Sequence, residues 1–584
     1  MLLSWHLISP SLLILWLCST ESLCPASCVC KQSEKGQRKV SCLKGGMRDP
    51  IPLIDVDPGM EVLEISGLAD NPNTLSISPV FQQFKHLQEI SIKRSNILQI
   101  GMHPFWGVPS IRLLDLSYNN ISVVFDHNFR GLVNLVELNL DHNKIERVAV
   151  GAFKHLTELR MLTLRNNNIS DLEPRIFLKL VKLHILKLSG NKFEDEINPE
   201  DLRVLELRGC ELKRINTQLY HLLPYLSHLD LGNNNIQFLS EDEFHDLHRL
   251  HILKLDGNVL PVILEKTFVN QQQLKYLCLA KNRLAKITDT AFLNLTSLVE
   301  LDISYNKLSK LEPYALTHLA DTLQRLVISG NNFTITLLKL FLQTLYRVWH
   351  LDIAHMKLKS LPDRFLPDRI KKLNVSWNNI SSVSVHTFPR HLVELDISFN
   401  AIKGLNESVV LKLDTLKYVN FTGNPWSCDL CHITSILFRV NKTDLFKNSV
   451  CASPAKLKGK KLVSLQFEDV TTCDLSDGSK DKMPADKLSL LVGLICIIVF
   501  AILSIIFVVC SCVRRHSRNL ARQRKRAMEC AENNVENASA VFCKGEISFK
   551  FPLDLTERKM SVSTIDEIKR DSQQSLPNGT ITGI

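Results

Sequence analysis

Apolar positions recur along this chain with a spacing that no single helix face accommodates. In residues 111–121, IRLLDLSYNNI, the residues Ile111, Leu114, Leu116 and Ile121 follow an LxxLxLxxNxL rule. Leu114 and Leu116 alternate as a short strand does, so the pattern predicts a brief extended segment followed by a turn. Asn119 sits where the chain leaves that strand. Its amide both donates and accepts, which suits a place where main-chain groups lose their ladder partners. One such turn cannot bury its own leucines, whereas a stack can, because each unit is covered by its neighbours.

The rule restarts at Leu87, Ile111, Leu135, Leu159, Leu183, Leu202, Leu226, Leu250, Leu274, Leu298, Leu323, Val348, Ile370, Leu392 and Leu416, mostly 24 residues apart, after a degenerate turn around Leu63 and Ile65. The asparagine position is filled by Asn119, Asn143, Asn167, Asn191, Asn234, Asn258, Asn282, Asn306, Asn331, Asn378, Asn400 and Asn424, with Ser95, Cys210 and Met356 standing in elsewhere. Eighteen residues after most starts comes an apolar residue, often Phe: Phe129, Phe153, Phe177, Phe244, Phe268, Phe292, Phe341 and Phe388. These predict a second apolar spine behind the strands. One interval, Leu183 to Leu202, is 19 residues long, lacks the Phe and carries EDEINPED, which predicts a local change of curvature.

The ends differ from the middle. Residues 1–22 have an apolar core, Leu12 to Leu17, followed by small residues and read as a secretory signal peptide, the apolar run being shorter than the ~20 residues of a membrane span. Of 16 cysteines, four fall between residues 24 and 42 and four between 428 and 473, while the repeats hold only Cys210 and Cys278. Even clusters at both ends of a secreted array read as disulfide caps, with three pairings open at each end and a zinc site disfavoured by the oxidising compartment.

The C-x3-C-x-C-x11-C spacing of Cys24, Cys28, Cys30 and Cys42 resembles the N-terminal cysteine flank of extracellular leucine-rich repeat proteins. NPWSCDLCH, residues 424–432, resembles their C-terminal flank, with one residue more than the usual C-x-C. The resemblance implies an α/β solenoid, a horseshoe of about 15 repeats. It implies the pairs Cys24–Cys30, Cys28–Cys42, Cys428–Cys451 and Cys431–Cys473, with Trp426 covering the last turn. The expected order is a signal peptide (1–22), an N-terminal cap (23–60), repeats (61–426), a C-terminal cap (424–474) and a charged stalk (475–487).

Residues 488–513 follow with no charged side chain in 26 positions, a transmembrane helix by length and hydropathy. Seven basic residues between 514 and 526 come next, which puts the C-terminus in the cytoplasm. This topology is similar to that of single-pass leucine-rich repeat receptors and adhesion proteins of the plasma membrane, the group that includes the Capricious and Tartan type. The tail, residues 514–584, reads as disordered and has no room for a kinase or TIR domain. Cys510 and Cys512 are candidate palmitoylation sites, and Thr582, Gly583 and Ile584 match a PDZ-domain ligand.

Net charge is +10, of which +4 belongs to the tail, so the repeats lack the basic footprint of a nucleic-acid binder. No nucleophile–base pair, phosphate loop or metal spacing is present; His350, Asp352 and His355 share a repeat and are read as surface side chains. Neither enzyme activity nor a cofactor is expected. Sequons stand at Asn120, Asn168, Asn294, Asn332, Asn374, Asn379, Asn406, Asn420 and Asn441, with Asn374 and Asn420 expected to point out from the concave face. The concave strand positions expose Arg112, Tyr118, Arg160, Arg165, Arg203, Arg208, Lys254, Tyr276, Lys281, Tyr305, Trp349 and His350. Arg and aromatic residues are the usual anchors of protein interfaces. The expected function is a cell-surface receptor or adhesion protein for an extracellular protein ligand, a second copy of the chain among the candidates. A co-receptor or immune sensor, and a matrix-binding organiser, are the alternatives.

Overall fold

The computed structural model describes residues 24–472, apart from 55, 194–200, 216–221, 242, 313 and 440–444, together with Arg522. Residues 488–513, Cys510, Cys512, Thr582, Gly583, Ile584, Cys473, Asn441 and all of the EDEINPED segment but Asp201 therefore lie outside the described residues, as do the signal peptide and tail expectations. No helix among the described residues is long and apolar enough to cross a membrane.

Each turn contributes one short strand, and consecutive turns pair in parallel. Leu113–Asp115 lies between Glu89–Lys93 and Glu137–Asn139, with Leu114 opposite Ile90 and Leu138. The described sheet has 18 strands. Sixteen turns run from Val62–Ser66 to Tyr418–Asn420, one more than the fifteen regular starts, because the degenerate turn at Leu63 and Ile65 pairs as fully as the rest. The short interval between Leu183 and Leu202 keeps its register, with Leu186 opposite Leu205.

Inward positions form a continuous core in which Ile111, Leu114, Leu116 and Ile121 have no exposed surface. Asn119 closes the turn as its position requires. It accepts from the Ser95 and Ile97 amides at 2.9 and 3.4 Å and donates to the Ile92 and Leu116 carbonyls at 2.7 and 2.9 Å. Cys210 takes over one of these bonds, with Sγ 3.4 Å from the Leu188 carbonyl, and burial pushes its thiol up to about 11. Behind the strands the phenylalanines stack, Phe129 on Phe153 at 6.1 Å and Phe268 between Phe244 and Phe292. Phe81 and Phe105 extend this spine N-terminally at 5.7 Å, beyond the expected set. The connections are turns, short 3-10 segments and two pairs of two-residue parallel strands, with α-helices in the described array only at α1 (Ile335–Thr344) and α2 (Glu407–Asp414). Phe341 belongs to α1 and meets Phe333 edge-on, outside the stacked spine.

Disulfides close both caps internally, and packing joins the caps to the core. Cys24–Cys30 and Cys28–Cys42 form as implied, in a hairpin whose second strand, Arg38–Cys42, pairs in parallel with the first turn. Cys428–Cys451 forms as well, and Cys431 is disulfide-bonded. In the longer Cys428-to-Cys431 spacing, Asp429 caps α3 (Leu430–Leu437), accepting from the amides of Cys431 and His432.

Candidate functional site

Parallel stacking puts equal repeat positions into columns about 4.8 Å apart per turn. Counting Ile111 as position 1, columns 3 and 5 lie on the strand, column 7 follows it, and column 8 immediately precedes the buried asparagine.

In the N-terminal and central turns, columns 5 and 7 carry an ion-pair network. Lys93 reaches Asp115 at 2.8 Å, and Arg165 grips Asp141 at 2.9 Å. Arg208 forks to both oxygens of Asp256 at 2.6 and 2.9 Å and meets Asp230 at 3.1 Å, and Lys254 approaches Asp230 at 3.5 Å. Hydrogen bonds to Asp256 hold the Arg208 guanidinium even more firmly protonated than usual. Arg165, Arg208 and Lys254 therefore brace the face and are not the free anchors that their residue types suggested. Their partners sit one or two turns away. Arg112, Arg160, Arg203 and Lys281 remain exposed. Arg208→Ala would leave the Asp230 and Asp256 carboxylates, 8% and 18% exposed, without their shared cation. Urea unfolding is expected to show a loss of about 2 kcal/mol, recovered in part by Asp256→Asn in the same chain.

Column 8 supplied Tyr118, Lys281 and Tyr305 to the expected concave residues, and the structure adds Trp377 and Phe399 from the same column. All fifteen of its residues, from Arg94 to Gly423, have positive φ, between 46° and 76°. Glycine and asparagine suit that conformation and fill nearly half of the column; a bulky residue there costs roughly 1 kcal/mol. Tyr118, Tyr305, Trp377 and Phe399 nevertheless occupy it. Tyr118 stacks on His142 at 4.3 Å, under the Arg94 guanidinium at 4.9 Å, beside an open cleft of about 570 Å3. Further along, Tyr305 leans to His355 (5.6 Å), which stacks on Trp377 (5.2 Å), which stacks on Phe399 (4.0 Å). Gly330 lets Tyr305 reach across a turn, since a Cβ there would lie 2.6 Å from the tyrosine ring. Tyr305, Trp377 and Phe399 stay 44%, 50% and 40% exposed, so the column is a usable surface.

Beside these rings, column 5 presents Asp302, Asp352 and Asp396. Each carboxylate is aimed by its own turn, accepting at 2.9–3.0 Å from the amide of Ser304, Ala354 or Ser398. Burial raises the Asp352 carboxyl. Asn374 and Asn420 share the column and donate to Asp352 and Asp396 at 2.8 and 3.1 Å. They stand on the concave face, half-buried and with engaged amides. Asn120 likewise donates to Asn96. Asn168, Asn294, Asn332, Asn379 and Asn406 are exposed, though Asn406 also caps α2.

Three other expected anchors are partly withdrawn. Tyr276 is half-buried and hydrogen-bonded to the Cys278 thiol, which burial pushes up to about 12. The Trp349 indole donates to Gln324 at 3.2 Å. Burial, with Arg325 and Lys372 nearby, pushes the His350 imidazole down to about 4. Folded His350 therefore resists a proton that the unfolded chain accepts near 6.5, so its contribution to stability is lost as pH falls from about 6.5 toward 4. His350→Gln is expected to flatten the pH dependence of Tm in that window, while Asp352 works in the opposite sense. No group of three His, Cys, Asp or Glu among the described residues is arranged to hold a metal.

The "Leucine rich repeat" family model matches residues 85–145, 134–193, 200–260 and 272–333, and a second repeat model matches 388–404. The chain carries a leucine-rich repeat solenoid. Protein toll of Drosophila melanogaster is 33% identical over 97 residues, 16% of this chain and 9% of that protein. A leucine-rich repeat protein of Leptospira interrogans superposes with a TM-score of 0.51 at 24% identity, covering 63% of this chain and 92% of its own, and shares the fold. The Drosophila Toll–Spatzle complex gives 0.49 at 21% identity, covering 71% of this chain and 61% of the matched one. The chain thus spans only part of the length of these Toll proteins.

Proposed function

We propose that this leucine-rich repeat chain is a cell-surface recognition protein whose concave face binds a protein ligand. The observation that carries the reading is column 8: bulky aromatic side chains held where the backbone favours glycine, half exposed and stacked in register. Strained residues kept at a surface point to a role there, and rigid aromatic groups are where protein interfaces concentrate binding energy. Recognition proceeds by surface complementarity, with no chemical step on the ligand.

On the same reading residues 1–22 direct secretion, and residues 488–513 anchor the chain as a single-pass type I protein of the plasma membrane, in the manner of Capricious and Tartan. The tail recruits cytoplasmic partners, with Thr582, Gly583 and Ile584 taken by a PDZ domain. The test is a binding screen of soluble residues 23–485 against secreted and surface proteins, a second copy of the chain included. A saturable partner whose affinity drops in Trp377→Asn supports the reading. Finding no saturable partner overturns it.

A further inference from the structure

The two halves of the concave face satisfy their rings and carboxylates differently. In the N-terminal and central turns the chain supplies its own cations: Arg94 over Tyr118, Lys93 on Asp115, Arg165 on Asp141, and Arg208 on Asp230 and Asp256. Over residues 298–400 the same columns hold Asp302, Asp352 and Asp396 beside Tyr305, His355, Trp377 and Phe399. Column 7, which carries Arg165 and Arg208 upstream, is here Ser304, Ser329, Ala354, Ser376 and Ser398. Among the described residues no ion pair reaches those three aspartates, and no cation lies over those rings. The result is a trough with an aromatic wall, a small-residue floor and a wall of oriented carboxylates. Each carboxylate has about four acceptor sites, and the chain's own amides and hydroxyls, those of Asn374 and Asn420 included, use only part of them.

We propose that this trough docks an arginine-bearing extended segment of the protein ligand, each guanidinium lying on the column 8 rings and forking to a column 5 aspartate. The proposal rests on the recognition reading and deepens it. Arginine fits better than lysine because its planar head both stacks and forks, whereas an ammonium is a compact, strongly hydrated point charge. Upstream the molecule builds each half of this pattern with its own cations, Arg94 on a ring and Arg208 forked to a carboxylate. Phosphate-bearing ligands are disfavoured, since the carboxylates would repel them.

The test uses full-length protein in detergent and a labelled peptide alternating Arg and Ser, with the citrulline counterpart as its neutral isostere. The variants are chosen to fold. Asparagine already stands in column 5 as Asn374 and Asn420, and at positive φ in column 8 as Asn166 and Asn233. The Arg peptide is expected to bind saturably, with affinity that falls as salt rises. The citrulline peptide and the triple variant Asp302→Asn, Asp352→Asn, Asp396→Asn should each lose about tenfold or more, equivalent to ~1.4 kcal/mol. Trp377→Asn should lose several-fold. Equal binding of Arg and citrulline peptides overturns the proposal, as does unchanged affinity in a triple variant that unfolds like the native chain. A glycan found on Asn374 by mass spectrometry would fill the trough and overturn it too. A protein partner that the triple variant binds as tightly as the native chain sinks this groove but spares the recognition reading. A screen without any partner sinks the reading itself, even if the peptide binds.

Discussion

Asn119→Ala should cost about 3–5 kcal/mol, a large loss for a substitution that creates a cavity of only a few atoms. The truncation removes the acceptor for the Ser95 and Ile97 amides and the donor for the Ile92 and Leu116 carbonyls. All four groups are buried where strands end, only the Leu116 carbonyl keeps a second side-chain donor, Asn143 at 3.0 Å, and water cannot replace the amide without opening the turn. An unsatisfied buried donor or acceptor costs about 1–3 kcal/mol, and local relaxation recovers part of the sum. The chain offers its own control. Cys210 occupies the equivalent place with one hydrogen bond to a carbonyl, so Asn119→Cys should be milder than Asn119→Ala. Urea unfolding gives the stability difference, and hydrogen exchange should localise lost protection to the turns around residues 92–120. A loss under about 1 kcal/mol for the alanine variant would mean that the ladder is not what closes the turns.

Trp426→Ala should cost a similar 3–5 kcal/mol, for a different reason. A solenoid core is open at its last turn, because no further turn covers it. Trp426 is 1% exposed and meets Phe421 and Phe446 edge-on at 5.7 and 5.8 Å, while those two rings stack on each other at 5.5 Å. Removing the indole leaves a void at the one place where the repeats cannot close it by stacking. Cys428–Cys451 still ties the cap to itself, so the cap should loosen without dissociating. Adding Cys428→Ser should remove about 3 kcal/mol more, the usual value for a loop of this length. Limited proteolysis should then cut near the C-terminal turns first, and Trp426→Phe should restore most of the resistance. Cleavage that begins in the central repeats instead would contradict this role for Trp426.

The inner half of every repeat was legible in the sequence, because the same apolar and asparagine offsets recur in every turn. Leu114 and Leu116 alternate, Asn119 follows them at a fixed offset, and the cysteine spacing of the first cap matched a known flank closely enough to give both bonds. The outer half was legible only by residue type. Arg208 reads as an exposed anchor until Asp256, 48 residues away, is found gripping it. Trp377 and Phe399 were passed over because each looks like an isolated surface aromatic in its own repeat; reading the residue before each ladder asparagine down the array would have found them. Nor does its own repeat show that the Asn374 amide is engaged, since Asp352, its partner, belongs to the preceding turn.

By itself, then, the sequence determined the repeat, the buried ladder and the apolar core, all of them set by local spacing and by the need to cover each turn, while the pairing in the first cap came from its resemblance to a known flank. The tertiary structure decided which exposed side chains are neighbours. That choice depends on parallel register, which brings residues some 24 positions apart to within about 4.8 Å, and on a left-handed backbone at one position of every turn that aligns its side chains into a single column. The surface available for recognition is a property of that stacking, and no single repeat contains it.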